Sequence, residues 1–255
     1  MALQEHLEFL ATETAFWMLG LQDPQCPMDQ LGSLSEKVSD QLRALAIITL
    51  LAEGDTDLFY HNLLRSGLAQ ITFLERCRRE GFRDFHLAIS RSKAFFDVLA
   101  ARDFDMARRL ADLSPREWIP EGEYEDDFCY ARFCHRMIQG GETAAEAGAL
   151  MARFESALEG HDDARLDLLK ALAAEDQDAF DDAFEGLLAD HENQLESDKT
   201  RGRMEDPEVL AERQIFVEGL GILNLAEMLG FRTREAYQFC PSFARDPMTI
   251  PFPGL

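Results

Sequence analysis

Apolar residues recur every three or four positions along almost the whole chain, while the strict alternation of a half-buried strand is nearly absent. That period predicts an all-α fold, built as stacked antiparallel helix pairs in an irregular solenoid-like or compact helical array. The first helix fits residues 3–18, with Leu7, Leu10, Phe16 and Trp17 turned inward. Residues 20–32 hold Pro24 and Pro27 and read as a loop, and Ser33 three positions before Glu36 reads as a capping box. Val38, Leu42, Leu45, Ile48, Thr49 and Ala52 form the next stripe. Tyr60, Leu64, Leu68, Ile71 and Leu74 mark a long helix over 57–79, broken at Gly81. Phe85, Ile89, Ser92, Phe96 and Leu99 continue the period.

Shorter helices are predicted over 105–113 and 125–138, with Ser114, Pro115 and Glu117 supplying a cap, a first-turn proline and a capping acid between them. Gly140 and Gly141 end that element, and Thr143 with Glu146 caps a helix through Met151, Phe154 and Leu158. Helices over 163–174 and 179–195 lead into a polar surface loop, 196–205. Asp206 and Pro207 then open a helix running to Leu229 and stopping at Gly230. Residues 1–237 form one helical domain in this reading, with two packed halves meeting near 139–143 as the variant. Residues 238–255 hold four prolines and Phe239, Phe243, Ile250 and Phe252, so an extended segment packed on the body is expected; a partly disordered tail is the plain alternative.

A faint repeat supports the paired architecture. Leu51 to Asp57 (LAEGDTD) matches Leu99 to Asp105 (LAARDFD) and Leu172 to Asp178 (LAAEDQD). Each copy joins the end of one apolar helix to the start of the next, with the second Asp read as the cap of the following helix. The spacing is irregular, so no fixed-period solenoid is implied.

The chain has 255 residues, and its 25 basic residues against 48 acidic ones give a net charge of −23. So acidic a surface disfavours direct nucleic-acid binding and adsorption to anionic membranes, and favours a cationic partner. Five scattered cysteines, a start over residues 1–19 with acids and no Lys or Arg, and no long apolar run point to a reducing cytoplasm without membrane insertion.

Motifs for chemistry are sparse. Ser90-Arg91-Ser92-Lys93 has Ser-x-x-Lys spacing without the accompanying Lys-Thr-Gly. Gly219 and Gly221 sit inside a helical pattern, where they permit close helix contact. Cys129, Cys134 and His135 cluster downstream of Glu123, Asp126 and Asp127, but positions five apart on a helix share no face, so buried thiols are expected rather than zinc. Asp176, Asp178, Asp181 and Asp182 resemble a calcium loop in composition only, lacking the glycine at its sixth position. No catalytic residue, cofactor or metal is assigned.

The acidic surface offers more. Residues 155–198 hold fifteen acids against Arg165 and Lys170 while keeping a helical apolar period, so they read as folded helices with an acidic outer face. The stretch Glu117 to Asp127 sets Trp118 and Tyr124 among acids, the composition of a loop that recognises a basic partner. The candidate binding residues are therefore Trp118, Glu121, Glu123, Tyr124, Asp126 and Asp127, with Asp176, Asp178, Asp181 and Asp182 as a second set. A solvated inter-helix loop with its aromatics tucked inward is the bland reading.

Three segments between Leu51 and Leu158 carry a resemblance: Phe59 to Leu64 (FYHNLL), Ser90 to Asp105 (SRSKAFFDVLAARDFD) and Glu123 to Tyr130 (EYEDDFCY). In them the chain resembles the family 49 immunity proteins of bacterial polymorphic toxin systems. The resemblance implies an all-helical cytoplasmic protein without cofactor, encoded beside a toxin and protecting the producing cell by binding it. The expected partner is a cognate protein toxin with a basic surface, acting on nucleic acid or nucleotides. A helical scaffold or regulatory adaptor, and an enzyme of unrecognised type, are the competing classes.

Overall fold

The computed structural model describes residues 3–140 and 144–254, so Thr143 and the 141–143 junction lie outside the described residues. Among those described there are eleven α-helices and no strand. They are α1 (Leu3–Gln22), α2 (Met28–Glu53), α3 (Thr56–Glu80), α4 (Ala94–Ala100), α5 (Phe104–Leu113), α6 (Glu125–Gln139), α7 (Ala144–Ala157), α8 (Ala164–Ala174), α9 (Gln177–Thr200), α10 (Pro207–Gln214) and α11 (Val217–Met228). From α1 to α9 each helix packs on the next, as stacked pairs should. The last two helices turn back, α10 onto α2 and α11 onto α4, which closes the stack into an irregular array.

The repeat is a turn of definite geometry. Its fourth residue is left-handed in every copy: Gly54 (φ 68°), Arg102 (φ 59°) and Glu175 (φ 54°). The next residue, the first Asp, is the N-cap: Asp55 accepts from the Leu58 amide, Asp103 from Met106, and Asp176 from Asp178 and Ala179. The second Asp is therefore not the cap, as the sequence had suggested. A one-residue reversal leaves the cap immediately before the helix and carries the second acid into the first turn, where it favours the helix dipole.

Several boundaries differ from the sequence reading for identifiable reasons. The first helix runs on to Gln22 and α2 starts at Met28, so Ser33 is interior and its hydroxyl bonds the Gln30 carbonyl instead of capping. Phe16 is exposed, whereas Thr14 fills the inward position and bonds back to the Leu10 carbonyl. Phe85 to Arg91 forms two 3₁₀ turns rather than a helix. No helix starts at Ser114, whose hydroxyl bonds the Leu110 carbonyl and closes α5. The 196–205 segment continues α9 to Thr200 and adds a 3₁₀ turn at Arg203–Glu205, because Asp198 is buried with Arg213 at 2.8 Å and Arg203 at 3.1 Å. The helix from Asp206 breaks at Ile215, where the chain is extended before α11.

Long-range polar contacts fix the stack. Asp97 on α4 is fully buried, bonded by Arg43 Nε of α2 at 2.6 Å and Ser66 Oγ of α3 at 2.6 Å. Gly221 of α11 lies so close to α4 that a Cβ there would stand 2.9 Å from the Phe96 carbonyl oxygen. Beside it Asn224 donates to the carbonyls of Leu99 and Ala100, satisfying the end of α4. The proline-rich C-terminal stretch lies along α3 through its main chain. Asp57 accepts from the amides of Thr249 and Ile250, Tyr60 donates to the Ala244 and Asp246 carbonyls, and His61 bonds the Ile250 carbonyl. Its apolar side chains contribute unevenly, with Phe243 and Ile250 exposed.

Candidate interaction site

The 114–124 loop is held rigid from within. Glu123 reaches back to the Ser90 amide at 2.9 Å and the Ile119 amide at 3.4 Å, while Trp118 Nε1 donates to the Glu123 carbonyl at 3.1 Å. Half-burial pushes the Glu123 carboxyl above its ordinary range, outweighing those amide bonds. Gly122 is required here, since a Cβ would sit 2.4 Å from the Phe85 carbonyl oxygen. Trp118 is half-buried, with Arg153 over its ring at 5.5 Å. The loop displays Glu121, exposed and without a partner among the described residues, and Tyr124, which is 79% exposed.

Asp126 and Asp127 open α6 and are engaged by the fold. With Asp163 they surround Arg165, at 3.0, 2.6 and 2.7 Å. Burial opposes the charge on Arg165, but the Asp163 and Asp127 carboxylates more than offset it and raise its pKa. At the other end of α8, roughly 16 Å away at 1.5 Å per residue, Asp176 caps α9 and Asp181 accepts from Gln177 at 3.2 Å. Asp178 and Asp182 are exposed there. Asp176 and Asp182 border a shallow groove of about 520 Å³ whose floor is alanine and Gly186. The two candidate sets thus form separate patches joined by α8.

The side chains considered for chemistry are held in other roles. Lys93 is ion-paired, 3.0 Å from Asp40 and 2.9 Å from Glu212. Cys129 and Cys134 are fully buried, and burial pushes the Cys129 thiol up to about 11. His135 is buried against Phe95 with ring centroids 4.2 Å apart. Burial, aided by nearby Arg132, lowers its pKa to about 3, so the ring is neutral. Among the described residues no group of three or more His, Cys, Asp or Glu is placed to hold a metal ion, and no helix is long and apolar enough to cross a membrane.

Sequence reasoning missed a surface groove of about 940 Å³ between the end of α3 and the 114–121 loop. Leu74, Phe82, Leu113 and Trp118 line it, with Arg83 and Arg116 among its borders. Reading residues 85–99 as a single helical stripe concealed the turns that form one wall. Gly81, Pro115 and Pro120 were the available signals of the non-helical parts of its walls.

The sequence model of the family Immunity protein 49 matches residues 37–244, from the middle of α2 to the C-terminal stretch. The chain belongs to that family. Its membership fits the all-helical architecture and supports a general immunity role. No curated protein and no solved structure matches the chain.

Proposed function

We propose that this Immunity protein 49 member neutralises a cognate protein toxin in the cytoplasm by direct, stoichiometric binding rather than by catalysis. Family membership over residues 37–244 is the observation that carries the reading. The charge supports a physical route. A toxin acting on nucleic acid or nucleotides needs a basic cleft for phosphates, and carboxylates on a rigid helical surface compete for it. Asp126 and Asp127 hold Arg165 and Glu123 holds its own loop, so contact falls mainly to Glu121 and Tyr124, and to Asp178 and Asp182 on α9.

Co-expression with the toxin encoded beside it tests the function. Protection of the cells and a 1:1 complex are expected, and toxicity that persists with the protein folded and abundant refutes it. Reversing Glu121, Asp178 and Asp182 to Lys should slow association at low salt and much less at high salt, as steering by exposed charges requires.

A further inference from the structure

The groove between the end of α3 and the 114–121 loop has the make-up of an anchoring site. Its lining is predominantly apolar, drawn from Leu74 and Phe82 on one side and Leu113 and Trp118 on the other. One wall is tied to the body by Glu123 on Ser90, and the other continues directly from α3, whose end is closed by the Phe82 amide on the Cys77 carbonyl, so the cavity exists before anything binds. Its charges are unusual for this chain. Carboxylates outnumber basic groups almost two to one, yet Arg83 and Arg116, one from each wall, make no hydrogen bond or ion pair to the described residues. Among the described residues Arg78 beside them bonds only the Asp112 main-chain carbonyl. Four acids border the groove as well, two of them engaged, Asp84 by His86 at 2.9 Å and Asp112 by Gln139 at 2.7 Å, which leaves exposed Glu117 and Glu121 against the three arginines. Free guanidinium groups above apolar walls complement a segment with an apolar anchor and a carboxylate beside it, since the planar fork of Arg matches a carboxylate in two-point contact.

We infer that this groove is the anchor point of the toxin interface, taking a toxin segment in which a large apolar side chain is flanked by Asp or Glu. The inference rests on the toxin-binding reading and deepens it: the acidic face of α9 draws a basic toxin in, and the groove holds it. A buried anchor of this kind governs dissociation, whereas the outer carboxylates govern encounter.

The test uses the full chain and the catalytic domain of the adjoining toxin carrying an inactivating substitution. Arg83→Glu with Arg116→Glu should raise Kd by roughly thirtyfold or more, mainly through faster dissociation, because each reversal leaves a partner carboxylate facing like charge. Both side chains are exposed, so an unchanged thermal melt checks the fold. Hydrogen exchange on the wild-type complex is the second measurement, with slowing expected in residues 81–87 and 112–121. Unchanged Kd in the double variant, or slowing confined to other segments, overturns the groove while leaving neutralisation intact. A wild-type chain that neither binds nor protects refutes the toxin-binding reading itself.

Discussion

His135 should make stability fall in weak acid by an amount that the structure sets. The imidazole is 2% exposed, packed on Phe95, and neither ring nitrogen meets a hydrogen-bond partner. Protonation would place an unsolvated cation next to Arg132, which is why the folded-state pKa falls to about 3. In the unfolded chain the group titrates near 6.5, so below that pH the unfolded state binds a proton that the folded state refuses. The contribution is whole above pH 6.5 and drains away as the pH falls towards 3. At pH 5 the loss is about 2 kcal/mol, from about 1.5 units at about 1.4 kcal/mol each. That figure is insensitive to the folded-state value provided it lies well below 5. Urea unfolding of the wild type and of His135→Leu at pH 8 and pH 5 isolates the effect. Other titrating groups, such as Glu218, whose burial raises its pKa, and Asp198, whose bond from Arg213 lowers it, cancel in the comparison. The wild type should lose about 2 kcal/mol more than the variant on going to pH 5. An equal loss in both would mean that the folded protein accepts the proton and that the ring is not buried neutral.

The capping roles separate within each repeat. Asp103→Ala should cost about 1 kcal/mol, and Asp105→Ala under about 0.5, in urea titrations. Asp97→Ala should cost about 3–5 kcal/mol by the same measurement, because it strands the buried Arg43 guanidinium. Asp57→Ala should speed hydrogen exchange at the Thr249 and Ile250 amides, which it accepts, while leaving the α2–α3 core protected.

The helical class and most helix positions were legible because burial imposes its period on the sequence. The repeat was visible too, but not its capping residue, since either Asp could in principle cap a helix and only backbone geometry decides. Left-handed Arg102 and Glu175 gave no signal because the sequence mark of that conformation is glycine, present only at Gly54. The 196–205 segment looked like a loop because it is charged, and became helix because Asp198 finds Arg203 and Arg213 from other turns. At the candidate site the sequence located exposed Glu121 and Tyr124. It could not show that Asp126 and Asp127 are occupied, because Arg165 lies 38 residues further along the chain from Asp127.

That occupation changes how the acidity of the chain acts. A composition of −23 describes the whole molecule, but several basic side chains are absorbed in ion pairs: Arg165 among three carboxylates, Lys93 between two, and Arg203 and Arg213 sharing Asp198. Such groups carry only a small local charge of either sign, and they stiffen the junctions between helices. The charge left to act at a distance concentrates where acids lack those partners, as at Asp178 and Asp182 on α9. Exposed carboxylates there give range without much affinity, because solvent and salt screen each contact. The groove has the opposite character, with apolar walls that act only on contact. Variants of the α9 acids and of the groove arginines should accordingly combine almost additively in binding free energy, since one alters encounter and the other escape. Strong non-additivity between the two sets would mean that they serve one continuous patch, and the division between steering and anchoring would fail.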